Sequence, residues 1–337
     1  MEYLKKADAG AVSLKSGSGE VWALPGLQGR IVVTLDGEML HRFDRDLAEN
    51  ARPGTFNNVG GNSLWPAPEG GPFAFNYYQE DPAAWGVQEG VNSQCAVCTE
   101  QDENHVVMEK TMSLTNRTGA DLQVCWRREI LPVCLAGIAE KYGLRAAGYE
   151  SCDELKFQTP VPEDRALIAA WSLEQFPLTP GAYGFLVFDK PSDGMINTGY
   201  YGDPVPFLKY SGNRVDFRFE SPAKLQIGAD AKAGPRFIGA YIPERDLLIL
   251  RETVVHPEAT YIDIADNDQP AGPFAAGDAY SIFYGADLNF FELETIAPVD
   301  RVHGLVRGSS LCSRSLFFRG SRADLTRMMM DQYGFQL

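Results

Sequence analysis

Apolar and polar residues alternate with a period of two along most of this sequence. In "NRVDFRFES", Val215, Phe217 and Phe219 fall on one side and charged residues on the other. Because successive side chains of a strand point to opposite faces, this pattern predicts a half-buried antiparallel strand. Further strands are predicted for "VVMEKTMSLT", "RIVVTLDG", "DLQVCWRREILPV", "ALIAAWSL", "GAYGFLVF", "AKLQIGA", "RFIGAYI", "DLLILRETVV", "TYIDIAD", "AYSIFYGA", "FFELETIA" and "SRSLFF".

Helical patterns are scarce and short. The clearest is "SRADLTRMMMDQYG", in which Ser321 and Asp324 form a capping-box start and Gly334 can end the helix. "DRDLAENAR" predicts one more short helix. No linker divides the chain, so residues 1–337 are expected to form a single all-β domain. The predicted architecture is a large antiparallel β-sandwich with a short C-terminal helix.

Two glutamates stand out in the strand "FFELETIA". Glu292 and Glu294 share one strand face with Phe290 and Ile296, and at strand rise they lie roughly 6.5–7 Å apart. At that distance each carboxylate raises the pKa of the other, which favours one protonated acid beside one ionised base. Both are therefore candidate catalytic residues.

Four other segments carry candidate substrate-binding residues. In "FNNVGGNSLWPAPEGG" a tryptophan beside amides and a carboxylate suits a sugar, whose C–H face the ring can cover. In "CWRREI" the two arginines point oppositely, and the inward one is expected to pair with a carboxylate. The other segments are "AAWSLEQFP" and "INTGYYGDPVPFLKY". A solvated strand face, or a loop whose tryptophan closes the sandwich edge, is the alternative interpretation of each. The candidates are Asn58, Trp65, Glu69, Arg127, Arg128, Trp171, Glu174, Gln175 and Asp203.

The charge distribution excludes some partners. The net charge is -15, with 45 acidic residues against 30 Lys and Arg and no basic cluster, so neither nucleic acid nor an anionic membrane surface is expected to bind. No apolar run reaches the ~18 residues of a membrane span. The start has no apolar core of signal-peptide length, so we expect a cytoplasmic protein, or a periplasmic one if a leader has been removed.

No metal or cofactor motif is present. The four histidines lack metal-ligand spacing, and the close cysteine pair at 95 and 98 lacks a second pair, so buried structural thiols are expected. There is no P-loop and no dinucleotide fingerprint. We therefore expect neither a metal nor a cofactor.

Four blocks in order, "FNNVGGNSLWPAPEGGPF", "AAWSLEQFPLTPG", "NTGYYGDPVPFLKYSGNRVDFRFESPAKLQIG" and "FFELETIAPVDRVHGLVRGSSL", resemble an uncharacterised bacterial family within the galactose mutarotase-like supersandwich superfamily. The resemblance covers about residues 20–335 and implies that fold. Aldose mutarotases carry a late "LET" strand whose glutamate is the catalytic base, and "FELET" places Glu294 there. Their histidines have no counterpart in "CWRREI" or "WSLEQF", so Glu292, Glu174 or Glu69 would have to supply the acid.

The sequence thus favours a carbohydrate-active protein, an aldose epimerase or mutarotase-like enzyme that uses carboxylate acid–base chemistry. A non-catalytic carbohydrate-binding module is one alternative. A glycoside hydrolase is another, since inverting enzymes hold their carboxyls ~6.5–9.5 Å apart. A purely structural role would require the glutamates to face solvent. The expected partner is a sugar or oligosaccharide, and the oligomeric state is left open.

Overall fold

The computed structural model describes residues 2–52, 55–79, 81, 84–190, 194, 196–264 and 272–337. Antiparallel strands dominate these residues, as the period-two patterns predict. The strands are β1 Val12–Ser16, β2 Gly19–Leu24, β3 Arg30–Leu35, β4 Glu38–Met39, β5 Asn62–Ala67, β6 Val97–Gln101, β7 Val106–Thr115, β8 Asp121–Pro132, β9 Arg145–Pro162, β10 Ala169–Pro177, β11 Tyr183–Phe188, β12 Ile196–Asn197, β13 Leu208–Ser211, β14 Arg214–Arg218, β15 Leu225–Asp230, β16 Pro235–Ile242, β17 Leu247–Thr253, β18 Asp278–Tyr284, β19 Phe290–Ile296, β20 Val299–Val302 and β21 Leu305–Arg319.

The strands form two large sheets. The first has the order β1-β2-β3-β5-β10-β19-β18-β15-β12, with β4 beside β3. The second has the order β13-β14-β11-β16-β17-β21-β9-β8-β7-β6, with β20 beside β21. The main apolar core lies between the sheets, where Leu64 and Leu293 from the first meet Ile249 and Phe317 from the second. The predicted all-β sandwich is confirmed.

Helices pack against the sheets of the sandwich. They are α1 Glu2–Ala7, α2 Arg45–Glu49, α3 Glu89–Asn92, α4 Ala136–Tyr142 and α5 Arg322–Tyr333. The predictions of α2 and α5 are confirmed: Ser321 accepts a hydrogen bond from the Asp324 amide, and Gly334 ends α5 in the left-handed conformation. Leu325, Met328 and Met329 of α5 pack against the second sheet. Among the described residues no helix is long and apolar enough to cross a membrane.

One predicted strand is absent from the structure, and several observed strands, among them β1, β2, β5, β6 and β9, were not predicted. The segment "TYIDIAD" forms no strand over its described residues 260–264: its backbone makes separate hydrogen bonds, Val299 N to Thr260 O and Asp263 N to Pro273 O. Tyr261 and Ile262 are both buried although adjacent, so the alternation there reflects packing of an irregular segment. The 18-residue β9, which the sequence prediction omits, pairs with both β8 and β21.

The cysteine prediction was wrong for the close pair. Cys95, just before β6, is exposed, and Cys98, within β6, is partly exposed, because β6 is an edge strand of the second sheet. Cys152 and Cys312 face each other across β9 and β21 and form a disulfide, which the sequence analysis did not predict.

Candidate functional site

A cleft of about 590 Å³ opens on the face of the first sheet that is turned away from the second. Strands β5, β10, β19, β18 and β15 form its floor, and its walls include Phe56, Asn58, Glu69, Tyr77, Trp85, Tyr201 and Lys224. The lining residues are Arg30, Arg42, Phe56, Asn58, Ser63, Trp65, Glu69, Tyr77, Trp85, Trp171, Leu173, Gln175, Tyr201, Lys224, Gln226, Phe283, Leu288, Phe290, Glu292 and Glu294.

Strand register brings the predicted residues of three segments together. Trp65 of β5 is opposite Trp171 of β10, and Gln175 of β10 is opposite Glu292 of β19. Residues two apart on each strand share the cleft face, so Glu294 lies in the next row beside Leu173. The cleft floor is therefore a patch of side chains from adjacent strands, held in place by the backbone ladder.

Glu292 and Glu294 lie on this floor and are shielded from bulk water. Glu294 is only 1% exposed and Glu292 is 8% exposed. Glu294 Oε2 accepts hydrogen bonds from Trp171 Nε1 at 3.0 Å and Gln226 Nε2 at 3.3 Å. Glu292 Oε1 accepts one from Gln175 Nε2 at 2.7 Å. Each carboxyl is thus oriented by a neutral donor from an adjacent strand.

Burial raises the pKa values of both carboxyls, and the charge of Glu292 adds to the rise at Glu294. Burial raises the pKa of Glu292 to about 7, although the Gln175 hydrogen bond and the charges of Arg42 and Arg30 oppose the rise. Burial and then the charge of Glu292 hold the pKa of Glu294 well above its usual range. Two nearby carboxyls that share a dry site titrate as a pair. The pair therefore keeps a proton to higher pH than an ordinary carboxyl does.

Aromatic side chains form much of the wall. Trp171 and Trp65 pack edge to face with ring centroids 6.4 Å apart, and Phe56 packs on Trp65 at 5.5 Å. Glu69 Oε1 accepts a hydrogen bond from Trp85 Nε1 at 2.6 Å, which fixes that indole at the cleft rim. Apolar ring surface beside directed polar groups is the composition that protein sites for sugars require.

Two arginines that the sequence analysis did not single out line the cleft. Arg42 Nη1 donates to Gln175 Oε1 at 3.1 Å and to the Asn58 carbonyl at 2.8 Å. Arg30 is buried, and desolvation together with the charge of Arg42 lowers its pKa to about 9. Both lie far from Glu292 in sequence, and no local motif marks them. Arg30 opens β3, and only the pairing of β3 with β5 places that strand near the cleft.

The arginines of "CWRREI" lie away from the cleft. Arg127 points outward from β8 and pairs with Glu129 at 2.8 Å. Arg128 is fully buried between the sheets, where it binds Asp153 through two hydrogen bonds of 2.8 and 3.0 Å. The expected inward arginine with a carboxylate partner is present, but it belongs to the core and not to the cleft.

Glu174 and Asp203 also lie elsewhere. Because Glu174 is one residue from Gln175 on β10, it points to the opposite face and into the core. There it accepts hydrogen bonds from Tyr149 at 2.7 Å and Ser315 at 2.6 Å. Burial raises the pKa of Glu174, but the charge of Arg251 together with His41 and Ser315 lowers it to about 2. Asp203 is exposed and accepts a bond from the Val205 amide. The predicted residues that line the cleft are Asn58, Trp65, Glu69, Trp171, Gln175, Glu292 and Glu294.

No group of three or more His, Cys, Asp or Glu side chains that could hold a metal ion occurs among the described residues. The charged groups of the cleft are three carboxyls and three cations, and the two glutamates of β19 receive neutral donors. The geometry is that of a small-molecule cleft with a buried pair of carboxyls.

The fold is that of the galactose mutarotase-like β-sandwiches. A putative aldose 1-epimerase from Escherichia coli K12 superposes with a TM-score of 0.52 at 14% identity, covering 92% of this chain and 98% of that one. A protein from Synechocystis sp. PCC 6803 gives 0.53 at 12% identity, covering 92% and 94%. A galactose mutarotase-like protein from Lactobacillus casei gives 0.51 at 10% identity, covering 92% and 99%. These likenesses confirm the fold that the sequence resemblance implied.

Over residues 1–337 the sequence matches the family described as a family of unknown function, DUF6786, and the protein belongs to that family. No curated protein shows significant sequence similarity to it.

Proposed function

We propose that the protein binds a sugar in the cleft and interconverts its anomers, as an aldose epimerase or mutarotase-like enzyme. The observation that carries this proposal is the pair of buried carboxyls, Glu292 and Glu294, on the floor of a tryptophan-lined cleft. The likeness of the fold to a putative aldose 1-epimerase supports the same class of reaction. A purely structural role, which needs both glutamates in solvent, does not fit this burial.

Anomer interconversion needs one proton acceptor and one proton donor on the same sugar. The base takes the proton of the anomeric hydroxyl, the bond between the anomeric carbon and the ring oxygen breaks, and the acid gives a proton to the ring oxygen. Ring closure on the other face of the aldehyde returns both protons. A carboxyl pair that shares one proton near neutral pH supplies both groups without a histidine.

The two glutamates differ in their neighbours. The resemblance to mutarotases implies Glu294 as the base, whereas the charges of Arg42 and Arg30 favour the ionised form of Glu292 and the donors to Glu294, Trp171 and Gln226, are neutral. We therefore assign the donor to Glu294 and the acceptor to Glu292 at the start of the forward step. Arg42 and Gln175 support the ionised form of Glu292.

The test is anomer exchange followed by NMR on a panel of free aldoses and uronic acids. We expect acceleration for at least one sugar, and a loss on the order of 10²–10⁴ in rate for Glu294→Gln and Glu292→Gln, the usual contribution of a general acid or base. Glu100→Gln is the matched control, since Glu100 is exposed on β6. Equal rates for wild type and both cleft variants would remove the catalytic proposal.

A second candidate is a carbohydrate-binding protein without turnover. It is favoured by one observation: none of the described residues that line the cleft is a histidine, in contrast to the acid that mutarotases use. A sugar that raises the melting temperature of wild type and of Glu294→Gln alike, with no acceleration of anomer exchange in either, would establish this candidate. Release of new reducing ends from an oligosaccharide would instead indicate hydrolysis.

A further inference from the structure

A second hollow of about 720 Å³ adjoins the cleft and shares two of its side chains, Phe56 and Trp85. Each of the two hollows by itself falls within the ~300–1,000 Å³ of small-molecule sites. Phe56 and Trp85 therefore border both the cleft that holds the glutamates and a further binding-sized space.

The aromatic side chains of the cleft continue into this second hollow. The row begins at Trp171, which is hydrogen-bonded to Glu294. The ring centroids of Trp171 and Trp65 are 6.4 Å apart, those of Trp65 and Phe56 are 5.5 Å apart, and those of Phe56 and Trp85 are 5.5 Å apart. Trp85 is 39% exposed although its indole nitrogen is bound to Glu69, so ring surface is left open at the junction. A row of rings gives consecutive apolar surfaces, and the C–H faces of consecutive sugar units can pack on such surfaces.

The floor of the second hollow is built from hydrogen-bonded loops. Asn57 Oδ1 accepts from the Arg52 amide at 2.7 Å, and Asn57 Nδ2 donates to the Thr55 carbonyl at 3.2 Å. Asn92 Oδ1 accepts from the Asn57 amide at 2.8 Å. These amides hold the surface in place before a ligand arrives, which lowers the ordering cost of binding. Polar residues that line this hollow include Tyr78, Gln79, Glu89 and Ser93.

We propose that the substrate is an oligosaccharide whose reducing-end unit occupies the cleft at Glu292 and Glu294 while the following units occupy the second hollow. This inference rests on the proposed function and specifies its substrate class. The direction follows from the chemistry, since anomer interconversion requires a free anomeric hydroxyl and only the reducing end has one. The remaining units then extend past Phe56 and Trp85.

The test is calorimetric binding to three oligosaccharide series: glucose to cellotriose, glucose to maltotriose and xylose to xylotriose. In the series that the cleft recognises, we expect the Kd to fall about tenfold or more between the monosaccharide and the trisaccharide, or ~1.4 kcal/mol. Tyr78→Ala and Gln79→Ala, made separately, should reduce this ratio of Kd values toward one. Tyr210→Ala, which removes a 55% exposed tyrosine from β13 on the second sheet, is the matched control and should retain the ratio.

The outcomes separate this inference from the proposed function. A monosaccharide that binds with the same Kd as its trisaccharide overturns the inference and leaves the proposed function standing. A length-dependent gain that survives in both Tyr78→Ala and Gln79→Ala also overturns it, because the extra units would then bind elsewhere. Binding by no member of any series, together with no anomer exchange on the aldose panel, overturns both proposals.

Discussion

The carboxyl of Glu292 should make the protein less stable as the pH rises from acid to neutral. Its pKa is 4.5 in an unconstrained chain and about 7 in the folded protein, where burial disfavours the charged form. A carboxyl whose pKa is higher in the folded state contributes stability that is fully present below the unfolded pKa. That contribution is lost as the pH rises through the folded pKa.

The size of the effect follows from the two pKa values. A change of one in pKa is worth about 1.4 kcal/mol, so the full contribution of Glu292 is about 3 kcal/mol. About 2 kcal/mol of this falls between about pH 5 and about pH 7.5. Glu292→Gln removes the titration while its side-chain oxygen can still accept the Gln175 hydrogen bond. Wild type therefore loses about 2 kcal/mol of unfolding free energy across this interval that the variant does not lose.

The assay is urea unfolding followed by tryptophan fluorescence at both pH values, for wild type, Glu292→Gln and the exposed control Glu100→Gln. Asp278, whose pKa burial also raises to about 7, contributes a loss of the same sign, but it is common to all three proteins. The difference between variant and wild type therefore reports Glu292 together with its electrostatic coupling to Glu294. An identical pH dependence in Glu292→Gln and wild type would refute the argument that burial raises the pKa of Glu292.

Three further substitutions probe the scaffold by urea unfolding. Arg128→Ala strands the fully buried carboxylate that it pairs with and should cost about 3–5 kcal/mol; a loss within ~1 kcal/mol would contradict that pairing. Ser321→Ala removes the cap of α5 and should cost about 1 kcal/mol, and an unchanged midpoint would show that the cap contributes nothing. Gly29→Ala places a Cβ 2.1 Å from the Trp126 ring and should cost on the order of 1–3 kcal/mol more than Gly37→Ala, which has a similar positive φ but open space around it. Equal losses for the two glycines would refute the clash.

Local patterns in the sequence were enough for the features that depend on near neighbours in the chain. Alternation identified β14 and β19, and the capping pattern at Ser321 identified α5. The same rule placed Glu292 and Glu294 on one face, which the structure confirms, since strand geometry ties residues two apart to a common side.

Local patterns did not decide which face of a strand opens to the cleft. All but the last residue of β10 is buried, so the positions of Glu174 and Gln175 look alike in the sequence. The second sheet covers the face of Glu174 and supplies Tyr149 and Ser315 to it, whereas Gln175 remains on the open side beside Glu292.

The sequence by itself determined that this protein is an antiparallel β-sandwich and that two carboxyls of one strand face the same way. The tertiary structure decided which residues surround that pair, among them Arg30, Arg42 and Gln226. The physical reason is the origin of strand order. Hydrogen bonds between strands far apart in the chain set it, and the backbone groups that make them are the same in every residue other than proline. A local pattern can show that β3, β15 and β19 are strands, but only the folded ladder brings them to one cleft.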